Sequence, residues 1–240
     1  MKRICTICAR GGSKGLKNKN IMLIQGKPLI AHTLQQAKDS KLFDAVVVSS
    51  DSDDILKVSR EWGADYFLKR PEEMATDTAS KLPAIRHAVL EIEKIKKYAY
   101  ETIVDLDATS PLRTIQDIHH AVRLFDSRKV SNVITAARSR HSPYFNLVEN
   151  NSEGFVRLSK NTPTPVVRRQ DSPACYDMNA SIYVWKRNRF IENPAIFYSD
   201  TLLYEMPPER SVDIDHDLDF EVVKLLMDRQ HQNQGNYHEF

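Results

Sequence analysis

The chain has few cysteines, three in 240 residues at positions 5, 8 and 175, too few for a disulfide framework. Cys5 and Cys8 have C-x-x-C spacing, but they lie in an apolar opening run with Cys175 as the only other thiol. A structural zinc site normally takes four ligands, so neither zinc nor thiol redox chemistry is expected. Long apolar runs are also missing: none approaches the roughly 20 residues that span a bilayer. The start, Met1-Lys2-Arg3 and a short apolar stretch ending at Arg10, lacks the longer apolar region and small-residue cleavage site of a secretory signal. The expectation is a soluble, cytoplasmic protein with no membrane partner. No excess of one charge is present either: 34 Lys plus Arg stand against 32 Asp plus Glu, a formal net charge of +2. Such a balance argues against a surface that wraps nucleic acid, while leaving room for a locally basic pocket that takes a small anion.

What is present is an α/β rhythm. Residues 4–9, 45–49, 102–106 and 132–137 read as short buried strands, with another near 66–68. Amphipathic helical stretches fall at 28–40, 53–63, 82–97 and 115–127. This alternation predicts a mainly parallel sheet flanked by helices. Thr114-Ile115-Gln116-Asp117 has the character of a capping box and starts the helix after Pro111. After Arg138 the rhythm changes: 144–149 and 155–159 read as strands joined through Asn150-Asn151-Ser152-Glu153-Gly154, followed by Thr162-Pro163-Thr164-Pro165. Residues 139–175 are therefore read as a β-rich insertion in a single domain of residues 1–230. Core strands resume at 179–185 and 202–205, and 218–229 forms a last amphipathic helix using Leu218, Val222, Leu225 and Leu226. The polar tail, 231–240, is expected to be flexible.

Three of the seven glycines lie together, in Cys8-Ala9-Arg10-Gly11-Gly12-Ser13-Lys14-Gly15-Leu16-Lys17-Asn18-Lys19-Asn20. Glycines permit positive φ, so that several N–H groups can turn inward around phosphate oxygens, while Arg10, Lys14, Lys17 and Lys19 neutralise their charge. The spacing is G-G-x-x-G, which is neither a Walker loop nor a dinucleotide fingerprint. On spacing alone, a phosphate cradle and a plain strand-to-helix turn both fit.

At the other end of the chain, Ser211-Val212-Asp213-Ile214-Asp215 alternates, and an extended backbone puts Asp213 and Asp215 on one face and Val212 and Ile214 on the other. Adjacent carboxylates repel unless a cation offsets them, and Mg²⁺ bridging phosphate oxygens is the natural candidate. The alternative is a strand end with Asp217 capping the final helix. Arg70 can bond the carbonyl edge of a pyrimidine, with the Ser80 hydroxyl beside it; a salt-bridged arginine and a helix N-cap at Ser80 are the plain alternatives. Ala108-Thr109-Ser110-Pro111-Leu112-Arg113 follows the strand at 102–106, at the end where parallel sheets place ligands.

The whole word A-R-G-G-S-K-G-x-x-x-K-N resembles the nucleotide-binding loop of the CMP-sialic acid synthetase family, the acylneuraminate cytidylyltransferases, including CMP-legionaminate-type synthetases. Further segments match in the family's order: Arg70-Pro71 to Ala79-Ser80, with Met74 in place of Leu; Thr109-Ser110-Pro111-Leu112-Arg113; Arg169-Gln170; Asn179 to Tyr183, with Ala180 in place of Gly; and Asp213-Ile214-Asp215. The resemblance implies a Rossmann-like nucleotidyltransferase that joins CMP from CTP to the anomeric hydroxyl of a nine-carbon acidic keto-sugar and releases pyrophosphate. It implies a catalytic set of Arg10, Lys19 and Asp215, a triphosphate held by Gly11, Gly12 and Ser13, and a nucleoside held by Asn20, Arg70 and Ser80. Mg²⁺ would sit on Asp213 and Asp215. The acceptor would meet Asp107, Thr109, Ser110, Arg168, Arg169, Gln170 and Asn179, with Arg168 and Arg169 alternatively reaching a neighbouring subunit, because relatives dimerise through the insertion. The chain departs from the family at Asp107-Ala108, where relatives carry Gln-Pro, and this leaves the sugar open. The general base is open too, with Asp107 one candidate. Other acceptors, an eight-carbon keto-acid or a sugar phosphate, and a non-catalytic nucleotide-binding module are the competing readings.

Overall fold

The computed structural model describes residues 1–12, 15–76, 79–162, 164, 166 and 168–235, without the side chains of Arg169 and 231–235. In chain order the elements are β1 (Arg3–Cys8), β2 (Leu23–Ile24), β3 (Lys27–Pro28), α1 (Leu29–Asp39), β4 (Ala45–Ser50), α2 (Asp53–Glu61), β5 (Tyr66–Lys69), α3 (Lys81–Lys96) and β6 (Thr102–Leu106). There follow α4 (Ile115–Arg128), β7 (Asn132–Arg138), β8 (Val148–Asn150), β9 (Val156–Leu158), β10 (Tyr176–Lys186), α5 (Arg187–Glu192), β11 (Leu202–Met206) and α6 (Asp217–Gly235).

Seven strands form one sheet in the order β11-β7-β10-β6-β1-β4-β5. β1 runs parallel to both β4 and β6, β4 to β5, and β11 to β7; β10 is antiparallel to both its neighbours. The sheet is thus mainly parallel, with one reversed strand. The reversal follows from the connection, because a parallel return needs a crossover, usually a helix. The segment between β7 and β10 carries only the β8–β9 ribbon and a single 3₁₀ turn at Arg169–Asp171 among the described residues.

Alternation along β1 sorts the core into two layers. Cys5 and Ile7 face α1, α2 and α4, packing with Ile30, Leu34, Ile55, Ile118 and Val122. Ile4 faces α3 and α5, packing with Ile85, Val89, Ile92, Trp185 and Phe190. Trp185 is fully buried, stacks on Tyr183 and donates its indole N–H to Ala195 O at 2.9 Å. Truncating such a residue to alanine costs about 3–5 kcal/mol. At α4 the predicted capping box is present: Thr114 Oγ1 accepts from Asp117 N at 3.2 Å, and Asp117 Oδ2 accepts from Thr114 N at 2.8 Å.

A third apolar cluster joins Ile24, Leu29, Leu112, Ile214, Val223 and Met227, and it fixes α6 and the preceding strand-like segment against the β2–β3 ribbon. Here the structure corrects the sequence reading. Leu218, Val222 and Leu225 are exposed, while Val223 and Met227 are buried and Phe220 and Leu226 half-buried against them. The helix carries two apolar stripes, so its periodicity alone does not choose the inward one. Its start is held by Asp219, not Asp217: Asp219 Oδ2 accepts from the backbone N–H of Asp215 and His216 at 3.0 and 2.8 Å. The helix also continues to Gly235, into the part of the chain read as tail.

From β1 the chain moves outward through β4 and β5, then returns to place β6 on the other side of β1. That is a topological switch point, and ligands of open α/β sheets bind at the carboxyl ends of the strands there.

Candidate active site

The loop after β1 and the segment after β6 emerge side by side from this switch point. A cleft of about 270 Å³ between them is lined by Cys8, Ala9, Arg10, Lys19, Asn20, Arg70, Met74, Thr76, Ala79, Ser80, Lys81, Asp107, Thr109, Asp213 and Asp215. Of the residues singled out from the sequence, the fold brings together Arg10, Lys19, Asn20, Arg70, Ser80, Asp107, Thr109, Asp213 and Asp215.

The glycines act here differently from the expectation of positive φ, which neither Gly11 nor Gly12 adopts. A β-carbon on Gly11 would lie 2.8 Å from Ser52 Cβ, and one on Gly15 would overlap the Asp215 carbonyl oxygen. Their value is close approach. The Gly11 N–H donates to Asp51 Oδ1 at 3.0 Å, whereas Gly12 is exposed and open. Left-handed Asn18 (φ 56°) precedes Lys19 and Asn20, both of which line the cleft. Lys19 Nζ donates to Ile214 O at 2.5 Å and to Asp215 Oδ1 at 2.9 Å. Asn20 is buried; its Nδ2 donates to Arg10 O at 3.0 Å, and its Oδ1 has no partner among the described residues.

Arg70 leaves the end of β5, is buried, and is anchored by Nη2 to Ser49 O at 2.8 Å and by Nε to Ser49 Oγ at 3.4 Å. Ser80 is the N-cap of α3, accepting from Leu82 N at 3.3 Å while lining the cleft. The next residue, Lys81, was not foreseen from the sequence. Its ammonium lies 2.6 Å from Asp105 Oδ2 and 2.8 Å from Asp107 Oδ2. Burial works to lower the Lys81 pKa, but the two carboxylates outweigh it and hold the ammonium well above its ordinary value. Burial works to raise Asp107, but Lys81 and the hydrogen bonds from Lys81 and Thr109 hold that carboxyl down at about 2. The only sequence signal for the lysine was the i, i+2 pair of carboxylates at 105 and 107, which required a cation from somewhere.

The alternation at 213–215 is realised. Ile214 is buried in the third cluster, its N–H donates to Thr109 O at 3.0 Å, and both aspartates face the cleft. Burial, with Asp107 nearby, pushes Asp213 up to about 6, and its Oδ1 is buried without a partner among the described residues. A buried oxygen left this way needs a ligand or ion to offset its desolvation.

Other expected residues lie outside the cleft lining. Asn179 is buried and committed: Oδ1 accepts from Thr135 Oγ1 at 2.7 Å, and Nδ2 donates to Ser211 Oγ at 2.9 Å. Ser110 is buried, with its hydroxyl 3.5 Å from Asn179 O. Arg168 is paired with Asp171 at 2.8 Å and, like Gln170, is exposed. Ser13 and the side chain of Arg169 lie outside the described residues. A wider trough of about 1010 Å³, which includes Gln36, Arg113 and Arg210, shares no lining residue with the cleft. It holds none of the buried unpartnered side-chain atoms found among the described residues, whereas the cleft holds two.

An open α/β sheet with opposed cations and carboxylates at its switch point suits the handling of a nucleotide. The fold is that of the nucleotidyltransferases: the solved CMP:2-keto-3-deoxy-manno-octonic acid synthetase complexed with CTP superposes with a TM-score of 0.70 at 17% identity, covering 96% of this chain and 100% of that one. A family model described as Cytidylyltransferase matches residues 4–234, and the chain belongs to that family. It is 46% identical over 224 residues to the CMP-N,N'-diacetyllegionaminic acid synthase of Campylobacter jejuni. It is 44% identical over 224 residues to the post-translational flagellin modification protein B of Campylobacter coli. Each alignment covers 93% of this chain and 94% of the relative. Among the described residues, no helix is long and apolar enough to cross a membrane.

Proposed function

We propose that this protein transfers CMP from CTP to the anomeric hydroxyl of a nine-carbon acidic keto-sugar of the legionaminate or sialate type, releasing pyrophosphate. The observation that carries the reading is the meeting of the loop after β1 and the 213–215 segment in one cleft, with Lys19 bonded to Asp215 and Asp213 Oδ1 without a partner among the described residues. The 46% identity to a CMP-N,N'-diacetyllegionaminic acid synthase supports the choice of acceptor class.

In the reaction the sugar hydroxyl oxygen bonds to the α-phosphorus, the bond from that phosphorus to the bridging oxygen breaks, and the hydroxyl proton leaves. Alignment and charge neutralisation carry most of such a step. Arg10 and Lys19 face the triphosphate together with the Gly12 amide, while Asn20, Arg70 and Ser80 hold the nucleoside. Asp213 and Asp215 are the fitting seat for Mg²⁺, since the half-buried Asp213 has an oxygen with no partner among the described residues and the exposed Asp215 is paired with Lys19. When bound, the ion neutralises phosphate charge and polarises the phosphoryl oxygens. Asp107, Thr109 and the neighbouring Lys81 face the acceptor. Held at about 2, Asp107 is a weak general base at neutral pH, and its role is to bind.

Two further assignments follow. The β8–β9 arm exposes Leu147, Val148, Phe155 and Val156, with Phe155 69% exposed, and this apolar face supports a homodimer formed through the insertion. Because the reaction consumes CTP, the cytoplasm is its site. The test is incubation of the purified protein with CTP, Mg²⁺ and, separately, N,N'-diacetyllegionaminate, N-acetylneuraminate, pseudaminate and an eight-carbon keto-acid. A CMP conjugate and pyrophosphate with a nine-carbon acid are expected. Conjugation of the eight-carbon acid alone would move the assignment to that acceptor, and binding of CTP with no conjugate would make the protein a nucleotide-binding module.

A further inference from the structure

We propose that Lys81 sets what the acceptor must present to this cleft: by bridging Asp105 and Asp107 it keeps Asp107 an obligate hydrogen-bond acceptor, so the sugar group that docks there must be a donor, a hydroxyl or an amide N–H. The inference rests on the reaction proposed above and narrows its substrate.

Asp105 and Asp107 lie two residues apart where β6 leaves the sheet, and one ammonium serves both, at 2.6 and 2.8 Å. Asp105 is fully buried, and its Oδ1 accepts from the Thr6 hydroxyl at 2.7 Å. Asp107 Oδ1 is filled by the N–H and hydroxyl of Thr109, at 3.1 and 2.9 Å. Asp107 Oδ2 carries Lys81 and keeps a second acceptor direction, on a side chain that is 18% exposed in the cleft wall. An ionised carboxylate offers acceptor sites only, whereas the glutamine of the family pattern can present either a carbonyl or an N–H. Without the lysine, two carboxylates so close together would share a proton between them, and Asp107 could then donate through it as well as accept. Lys81 therefore turns a two-way contact into a one-way contact. A polar site of this kind discriminates strongly, because an acceptor lacking the donor leaves a buried charge unmatched. Lys81 acts through Asp107 and is a positioning residue.

The test is a cycle of Lys81→Met, Asp107→Asn and the double variant, assayed with CTP, Mg²⁺ and N,N'-diacetyllegionaminate. Lys81→Met is expected to lower acceptor kcat/KM by about 30-fold through KM for the sugar, with KM for CTP changed less than about threefold. The double variant should be no worse than Asp107→Asn alone. Lys81→Met combined with Asp105→Asn removes the competing carboxylate, so Asp107 stays ionised without the lysine, and kcat/KM for the sugar should return to within about threefold of wild type. Multiplying losses in the double variant, equal shifts in both KM values, or an undiminished sugar defect in Lys81→Met/Asp105→Asn would each overturn the assignment. If the wild-type protein conjugates none of the nine-carbon acids, the reaction falls and this inference with it; wild-type turnover with an unimpaired Lys81→Met sinks the inference alone.

Discussion

Two pairs of aspartates stand at the cleft, each spaced i, i+2 and each met by one lysine, with Asp107, Asp213 and Asp215 in the lining and Asp105 fully buried behind it, yet the two lysines serve their pairs differently. Asp105 and Asp107 share Lys81, which touches both. Asp213 and Asp215 meet Lys19, which reaches Asp215 and the Ile214 carbonyl and leaves Asp213 Oδ1 unpartnered among the described residues. The consequence is electrostatic: Asp107 is held down at about 2 against the effect of burial, while burial and the charge of Asp107 push Asp213 up to about 6. The first pair is bridged from within by one ammonium that touches both carboxylates. The second is incomplete, as a seat for a divalent cation should be.

The largest expected effect comes from breaking the incomplete pair. Asp215→Asn should lower kcat about 1000-fold or more, in the range of losing one preorganised charge at a transferring group, with the circular dichroism spectrum unchanged. Near-normal turnover in Mg²⁺ would remove this carboxylate from the reaction. Next is the contact that sets where this pair sits. Gly15→Ala forces a methyl group onto the Asp215 carbonyl, and the resulting shift should cost about 100-fold in kcat/KM, measured beside the melting temperature. The smallest effect concerns the bridged pair. The folded-state pKa of Asp107 is depressed, so its contribution to stability is present above the unfolded value of about 4 and is lost as pH falls through about 2. Urea titrations of wild type and Asp107→Asn should therefore differ by on the order of 2 kcal/mol at pH 7 and converge toward pH 2. A constant difference across that range would mean that the carboxylate is not held down by Lys81.

The comparison also explains what could be read in the chain beforehand. The parallel core was legible because β1, β4 and β6 are short apolar runs alternating with amphipathic helices, and the capping box at Thr114 and Asp117 is a local signal. The Asp213/Asp215 alternation was legible for the same reason, since period two needs no tertiary information. The reversed direction of β10 depends on how an irregular connection returns, and the inward face of α6 depends on which of two stripes finds Ile24 and Leu29. Neither is encoded locally. Gly15 was noticed as a conformationally free residue, but its reason is a neighbour 200 positions away. Lys81 was missed because its partners come from another element, and the hydrogen bonds of Asn179 to Thr135 and Ser211 are visible only once the strands have paired.

The most direct test of the contrast between the two pairs is calorimetric titration of CTP with and without Mg²⁺, in wild type and Asp213→Asn. Mg²⁺ should tighten CTP binding at least about tenfold in the wild type and have little effect in the variant. An equal effect of Mg²⁺ in both proteins would contradict the assignment of Asp213 and Asp215 as the cation seat.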